Sequence, residues 1–367
     1  MDAPIPPAAP ALTVRSLKVR AADAPFSPPL QSAAGTLRSA PLVLIDLFTE
    51  QGVTGRSWFF ADTSAALAPA AAMAASLGLL AAGQPLALAM LSRTLGARFR
   101  LLGTQGLVGM ALAALDMAAW DAQARALGLP LARLLGAGRR AYPSLRQPAR
   151  LDGRRPGRRG GPGYGGRVSC RQAQVRSSHP GRGARGVPSR ARGGRRGRGH
   201  LRRSESGLHG AGGDPPGTPL RRLGRGLAGG AGASRRPRGP RCHRPRLPIQ
   251  RGENDWGPHG IARSLAADAS AFIMPDAGKV GGVTGWMAAA ALAEAAGLPV
   301  SSHLFVEFSA HLLAATPGRH WLEWLGVARP VLAAGSPELM DGNVVVPNAP
   351  GAGLEWDEAT VAQYVAQ

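Results

Sequence analysis

The 367-residue chain predicts an α/β protein in two parts, an α+β domain over residues 1–140 and a parallel β/α barrel over residues 141–329. Two observations carry this. Near the N-terminus a pair of strand-like runs is followed by a row of helices, the order of an α+β domain. Further on, three short apolar runs each deliver an ionisable residue: AFIMP leads to Asp276, LPVSS to His303 and HWL to Glu323. Glu253 holds a similar place after LPIQRG, and the four residues are 23, 27 and 20 positions apart. Each interval has room for a strand, a helix and two short loops, which is the period of a β/α repeat.

Taken in order, Leu12 to Ala21 alternates enough for a strand, and PLVLIDLF at Pro41 to Phe48 reads as a second. A polar, proline-containing stretch from Pro25 to Ser39 is expected to be a loop between them. Helices follow at Thr63 to Leu80, Pro85 to Leu95 and Gly106 to Leu127, the last closed by Gly128, Leu129 and Pro130. Ser64 to Gly83 is apolar, but it is mostly Ala and carries Pro69, Ser76 and Gly78. It is read as a helix packed on a core, and no membrane partner is expected. A hydrophobic content of 44 % is enough for a substantial core. MDAPIPPAAPALTV has neither the basic start nor the apolar run of a secretory leader, and Cys170 and Cys242 make neither a disulfide framework nor a zinc site, so a cytoplasmic setting is expected.

In the second part, TGWMAAAALAEAAG favours a helix that ends in Gly with Pro soon after, and SAHLLAAT is a shorter helical run. A closed parallel barrel gathers catalytic groups at the C-terminal ends of its strands, so Glu253, Asp276, His303 and Glu323 are expected on one rim. His259 and His320 are read as surface or packing residues, and Lys279 as a support for the Asp276 loop or a solvent-facing charge. A DGN turn at Asp341 to Asn343 precedes VVVP.

The segments MPDAGKVGGVTGW, SSHLF, SAHLLAATP and HWLE, with APLVLIDL and ALDMAAWDA earlier, resemble the mandelate racemase family of the enolase superfamily. The resemblance covers about residues 12–142 and 251–367. It implies a capping α+β domain, completed by residues 330–367, over a modified (β/α)7β barrel. It also implies His303 as an acid/base catalyst paired with Asp276, Glu323 as the hydrogen-bonding partner of a substrate carboxylate, and Glu253 as one of three carboxylate ligands to Mg²⁺. The chemistry asks for such groups. Removing a proton α to a carboxylate creates an enediolate, whose charge is met by a divalent cation and a fixed donor, while a His oriented by an Asp reaches the α-carbon. Racemisation needs a second base on the opposite face. In the family the loop at Pro25 to Ser39 covers the barrel mouth, and Asp62 stands where relatives carry an aromatic, a departure that bears on which hydroxy acid fits.

From about Pro143 the composition changes. Residues 144–250 hold 27 Arg, no Lys and three acids, Asp152, Glu205 and Asp214, while the rest of the chain is close to neutral. Three readings compete: an Arg/Gly-rich nucleic-acid-binding segment, a solvated insertion, and a barrel segment translated out of frame. Read one base forward, RVSCRQAQV at Arg167 to Val175 permits a Lys-x-Lys, RSESGL at Arg203 to Leu208 permits Asp-x-Asn-Gln-Gly, and LAGGA at Leu227 to Ala231 permits Trp-x-Glu-Glu-Pro. These would be the opposite-face base and the two further metal carboxylates implied by the resemblance, spaced as β/α units. The frame-shifted reading is favoured.

The expectation is therefore a mandelate racemase-like enzyme, Mg²⁺-dependent, abstracting the α-proton of a small 2-hydroxy acid and assembling as a homo-oligomer. The chain as written is expected to be inactive, because it lacks Lys-x-Lys. The alternatives are an acid-sugar dehydratase of the same superfamily and a non-catalytic basic product that binds nucleic acid adventitiously through its Arg-rich block.

Overall fold

The computed structural model describes residues 11–32, 35–137, 145–146, 249–268, 270–340 and 343–365. The three readings of the arginine-rich block, and the turn residues after Met340, lie outside the described residues.

Strands β1 (Val14–Ser32) and β2 (Gly35–Thr49) form one long antiparallel hairpin, and β3 (Thr54–Phe60) completes a sheet of order β1-β2-β3. The stretch expected as a loop over Pro25–Ser39 is instead the far arm of this hairpin, with Leu30 opposite Leu37 and a register shift between Pro25 and Leu30. The reason is local. Pro25, Pro28 and Pro29 cannot donate to the ladder, so the strand bulges around them and resumes pairing beyond. β2 is buried on both faces, which is why PLVLIDLF reads as a continuous apolar run. Its one acid, Asp46, is held by Arg20 at 2.7 Å, Arg56 at 3.3 Å and the indole N–H of Trp356 at 2.7 Å.

Helix α1 (Ser64–Ala81) begins at Thr63, whose hydroxyl accepts from the Ala66 amide, and lays Leu67, Ala70, Ala74, Leu77 and Ala81 into the core. Among the described residues it is the helix long and apolar enough to cross a membrane. It packs on the sheet, with Gly78 against Leu17. Helices α2 (Leu88–Ala97) and α3 (Leu107–Ala126) follow, then the single turn α4 (Leu131–Leu134) after Pro130. α3 is buried along most of its length and lies so close to β3 that a Cβ on Gly55 would meet the Ala118 carbonyl.

After the short strand β4 (Leu145–Arg146), the second part comprises β5 (Gln250–Arg251), α5 (Gly257–Ala266), β6 (Phe272–Ile273), α6 (Ala277–Val280), α7 (Gly282–Ala295) and α8 (Val306–Ala315). β5 and β6 pair in parallel, and parallel bridges from Ile273 to Val300 and from Val300 to Arg319 extend the wall. Four neighbouring parallel segments result, with Ile273, Val300, Trp286, Phe308 and Leu312 buried among them and their helices. The seam with the first part is made by Asp116 on α3. Its carboxylate accepts from the Thr284 amide at 2.9 Å and the Thr284 hydroxyl at 2.6 Å, while the Trp120 indole donates to that hydroxyl at 2.9 Å.

The closing segments are β7 (Leu332–Ala334), β8 (Glu338–Met340), β9 (Asn343–Val345), β10 (Glu355–Trp356) and α9 (Glu358–Tyr364). β10 pairs with β7, and β9 lies between β4 and β8. Glu355 meets Arg56 at 2.8 Å and Arg125 at 3.0 Å, and Val365 bridges to Ala22 on β1.

Candidate active site

Each of the four ionisable residues lies where its apolar run ends. Asp276 follows β6 and caps α6, its Oδ1 accepting from the Lys279 amide at 3.1 Å. A parallel bridge sets it beside His303, and the two side chains meet through Nδ1 and Oδ2 at 2.7 Å. Asp276 is buried, so its carboxylate is not free to turn away. With Nδ1 carrying the proton toward Asp276, the lone pair lies on Nε2. Nε2 faces two more carboxylates, Glu253 Oε2 at 3.8 Å and Glu323 Oε2 at 3.9 Å.

Burial pulls the His303 pKa down, but the hydrogen bond and charge of Asp276, followed by the charges of Glu323 and Glu253, outweigh it. The net shift is upward. Glu323 is fixed by its backbone, whose N–H donates to Ser302 Oγ at 3.1 Å, and by its side chain, which accepts from the Leu304 amide at 3.0 Å. Beyond Glu253, the Lys279 ammonium donates to Asn254 Oδ1 at 2.8 Å.

His303 is followed by an unusual turn. Leu304 and Phe305 both have left-handed backbones, with φ of 51° and 49°, a conformation costing roughly 1–3 kcal/mol for each such residue. The turn is pinned by the Leu304 amide on Glu323, by the Ser309 hydroxyl on the Leu304 carbonyl at 2.8 Å, and by Phe305 stacked on Trp58 at 4.4 Å.

Asp62 belongs to the site as well. It follows β3 with φ of 62° and helps line a small cleft with Phe60, Met110, Asp276, Lys279 and Phe305 among the walls. Burial raises its pKa, Lys279 and His303 oppose the rise, and the nearby charge of Asp276 adds to it. The first part of the chain thus places a carboxylate on the same cleft as Asp276.

The remaining histidines named from sequence stand elsewhere. His259 is exposed. His320 stacks on Phe272 at 4.4 Å and contacts Ser301 Oγ at 3.2 Å, a packing role. Sequence reasoning missed Trp58 and Glu307, both buried. The one available signal was an acid inside the apolar run FVEFSAHLL.

Among the described residues no group of three His, Cys, Asp or Glu side chains is placed to hold a metal ion. Glu253 offers one carboxylate, whereas Mg²⁺ requires near-octahedral oxygen coordination. The described residues by themselves do not make a magnesium cage. The sequence also bears on a second base: its only lysines are Lys18, on β1, and Lys279, engaged with Asn254.

Comparison with known proteins adds the following. The family described as "Mandelate racemase / muconate lactonizing enzyme, N-terminal domain" matches residues 14–136, and "Enolase C-terminal domain-like" matches residues 235–360. A curated relative, 3,6-anhydro-α-L-galactonate cycloisomerase of Streptomyces coelicolor, is 31% identical over 109 residues, 30% of each chain, so the match spans under a third of that relative. An enolase from Bradyrhizobium, solved with magnesium and mandelic acid, is 28% identical with a TM-score of 0.68, covering 98% of this chain and 99% of that one. L-talarate dehydratase from Polaromonas, solved with magnesium and L-glucarate, shares the fold at 18% identity and a TM-score of 0.64, covering 97% and 98%. A racemase from Streptomyces coelicolor with bound magnesium does so at 15% and 0.63, covering 96% and 100%.

Proposed function

The chain belongs to the mandelate racemase/muconate lactonizing enzyme family of the enolase superfamily, and on that premise we propose that its site serves α-proton abstraction from a 2-hydroxy carboxylate, with racemisation as the reaction. The observation that carries this is the 2.7 Å contact between His303 Nδ1 and Asp276 Oδ2, which leaves Nε2 toward Glu253 and Glu323. In this reading Nε2 takes the α-proton and Asp276 stabilises the imidazolium that forms. Glu323 meets the substrate carboxylate as a hydrogen-bond donor when protonated. The solved relatives above hold magnesium. Mg²⁺ is the cofactor this reading calls for, and Glu253 is the described residue that would contribute to holding it.

Racemisation requires proton delivery on both faces, and the described residues offer a base on one. We therefore propose that residues 144–250 are translated out of frame relative to an active parent, and that the polypeptide with this sequence does not racemise hydroxy acids. The test has two arms. The purified chain, of verified mass and supplied with Mg²⁺, is incubated with mandelate and aliphatic 2-hydroxy acids and followed by polarimetry and α-proton exchange. A second chain carries the segment recoded one base forward. Inactivity of the first and turnover by the second are expected; turnover by the first chain would refute the inactivity reading.

A second reading is favoured by Asp62. A carboxylate lining the cleft is a poor neighbour for an aryl ring and a good acceptor for hydroxyl groups. Acid-sugar dehydration, which shares the enolising step, is the alternative it supports.

A further inference from the structure

Glu307 lies in the first turn of α8, four residues beyond His303, and is 1% exposed. Its Oε2 has no hydrogen-bond partner, and neither does the indole Nε1 of Trp58, which is fully buried on β3. The two groups are neighbours, close enough for the indole to favour the carboxylate form of Glu307 against the burial that pushes its pKa up to about 7. A buried donor and a buried acceptor, side by side and both unmatched, are rare in folded proteins. Either a short adjustment or one bridging water would satisfy both at once.

The position of this pair gives it a consequence. The Trp58 ring is stacked on Phe305, the second of the two left-handed residues that carry the chain from His303 into α8. That turn is held at Leu304 by Glu323 and Ser309, and at Phe305 by Trp58, so Trp58 is its contact with the cap sheet. A strained turn persists only where its surroundings over-determine it.

We propose that Glu307 is a positioning residue: it accepts the Trp58 Nε1–H, directly or through one water, and so locks the Leu304–Phe305 turn that presents His303 to Asp276. The cap sheet thereby sets the orientation of the base. The inference rests on His303 and Asp276 being the acid/base pair.

The full chain, labelled with ¹⁵N in its imidazole rings, tests this by NMR, with H303N used to assign the His303 signal. The wild type is expected to give the downfield Nδ1–H resonance of an imidazole bonded to a carboxylate. E307Q, whose amide oxygen still accepts from Trp58, is expected to keep it. E307L is expected to lose it or broaden it several-fold while the other histidine signals stay in place. W58F keeps the ring stack and removes the donor, and is expected to shift the His303 signal in the same direction. Unchanged His303 resonances in E307L and W58F would overturn the proposal while leaving the His303–Asp276 pair intact. If E307L does not fold, an unchanged signal in W58F alone overturns it. Absence of the resonance in the wild type would instead sink the reading of the pair, and the proposal with it.

Discussion

Replacing Asp116 with asparagine isolates the electrostatics of the seam between the capping sheet's helices and the barrel helices. Asp116 is 1% exposed and its pKa is raised to about 7, burial being the largest cause and the donors of Thr284 opposing it. A carboxyl raised in the folded state binds its proton more tightly there than when unfolded, where its pKa is 3.8. Stability is therefore greatest at acid pH and falls as pH rises from about 4 to about 7, levelling above. The slope is about 1.4 kcal/mol per pH unit, so between pH 5 and pH 8 this one group removes about 3 kcal/mol. Asparagine keeps the shape without the charge. It turns one acceptor of the Thr284 contact into a donor, a pH-independent loss of about 1–3 kcal/mol. Guanidinium unfolding of both proteins at pH 5, 6, 7 and 8 checks the difference directly, since every other titrating group cancels. The wild type is expected to be the more stable at pH 5, with its advantage shrinking or reversing by pH 8. A difference that stays constant across that range would refute the reasoning.

His311 predicts the opposite limb. It is buried, accepts the Ala132 amide at 3.2 Å, and burial drives its pKa down to about 4. Its neutral form holds full stability above the unfolded value of about 6.5, and about 3 kcal/mol is lost as pH falls toward 4; H311Q is expected to flatten that acid limb in the same unfolding series. At the His303–Asp276 pair, D276N is expected to lower the His303 pKa relative to wild type, since burial then acts without the carboxylate that overcomes it, and an unchanged NMR titration would argue against the pairing. For Asp62, D62N is expected to weaken binding of a polyhydroxy acid at least several-fold by calorimetry and to leave mandelate binding unaltered; equal effects on both ligands would remove the argument for an acid-sugar substrate.

Asp276, His303 and Glu323 were legible because each is the first ionisable group after a short apolar run, a pattern imposed by segments that enter a core and end at its edge. AFIMP before Asp276 and LPVSS before His303 carry that signal in a few letters. β3 was not legible: TGRSWFF has no clean alternation, since Ser57 is buried and donates to the Ala114 carbonyl under α3. The far arm of the β1–β2 hairpin was hidden by its prolines, which look like a loop until a partner strand is known. Glu307 and Trp58 were hidden for a different reason. Their importance lies in which other element they touch, and a contact between residues 58 and 307 leaves no local trace in the sequence.

The stitching of the last residues onto the first sheet has a biosynthetic consequence. Asp46 is buried with Trp356 as a donor, and Arg56 and Arg125 converge on Glu355, so partners made early wait some 300 residues of translation for their counterparts. Until then Asp46 has its arginine partners but not its indole donor, Arg56 and Arg125 lack their shared carboxylate, and an incomplete nascent fold is exposed to aggregation and chaperone capture. A chain that stopped short of Glu355 would leave Asp46 without its indole donor and Arg56 and Arg125 without their shared carboxylate, whatever happened to the barrel.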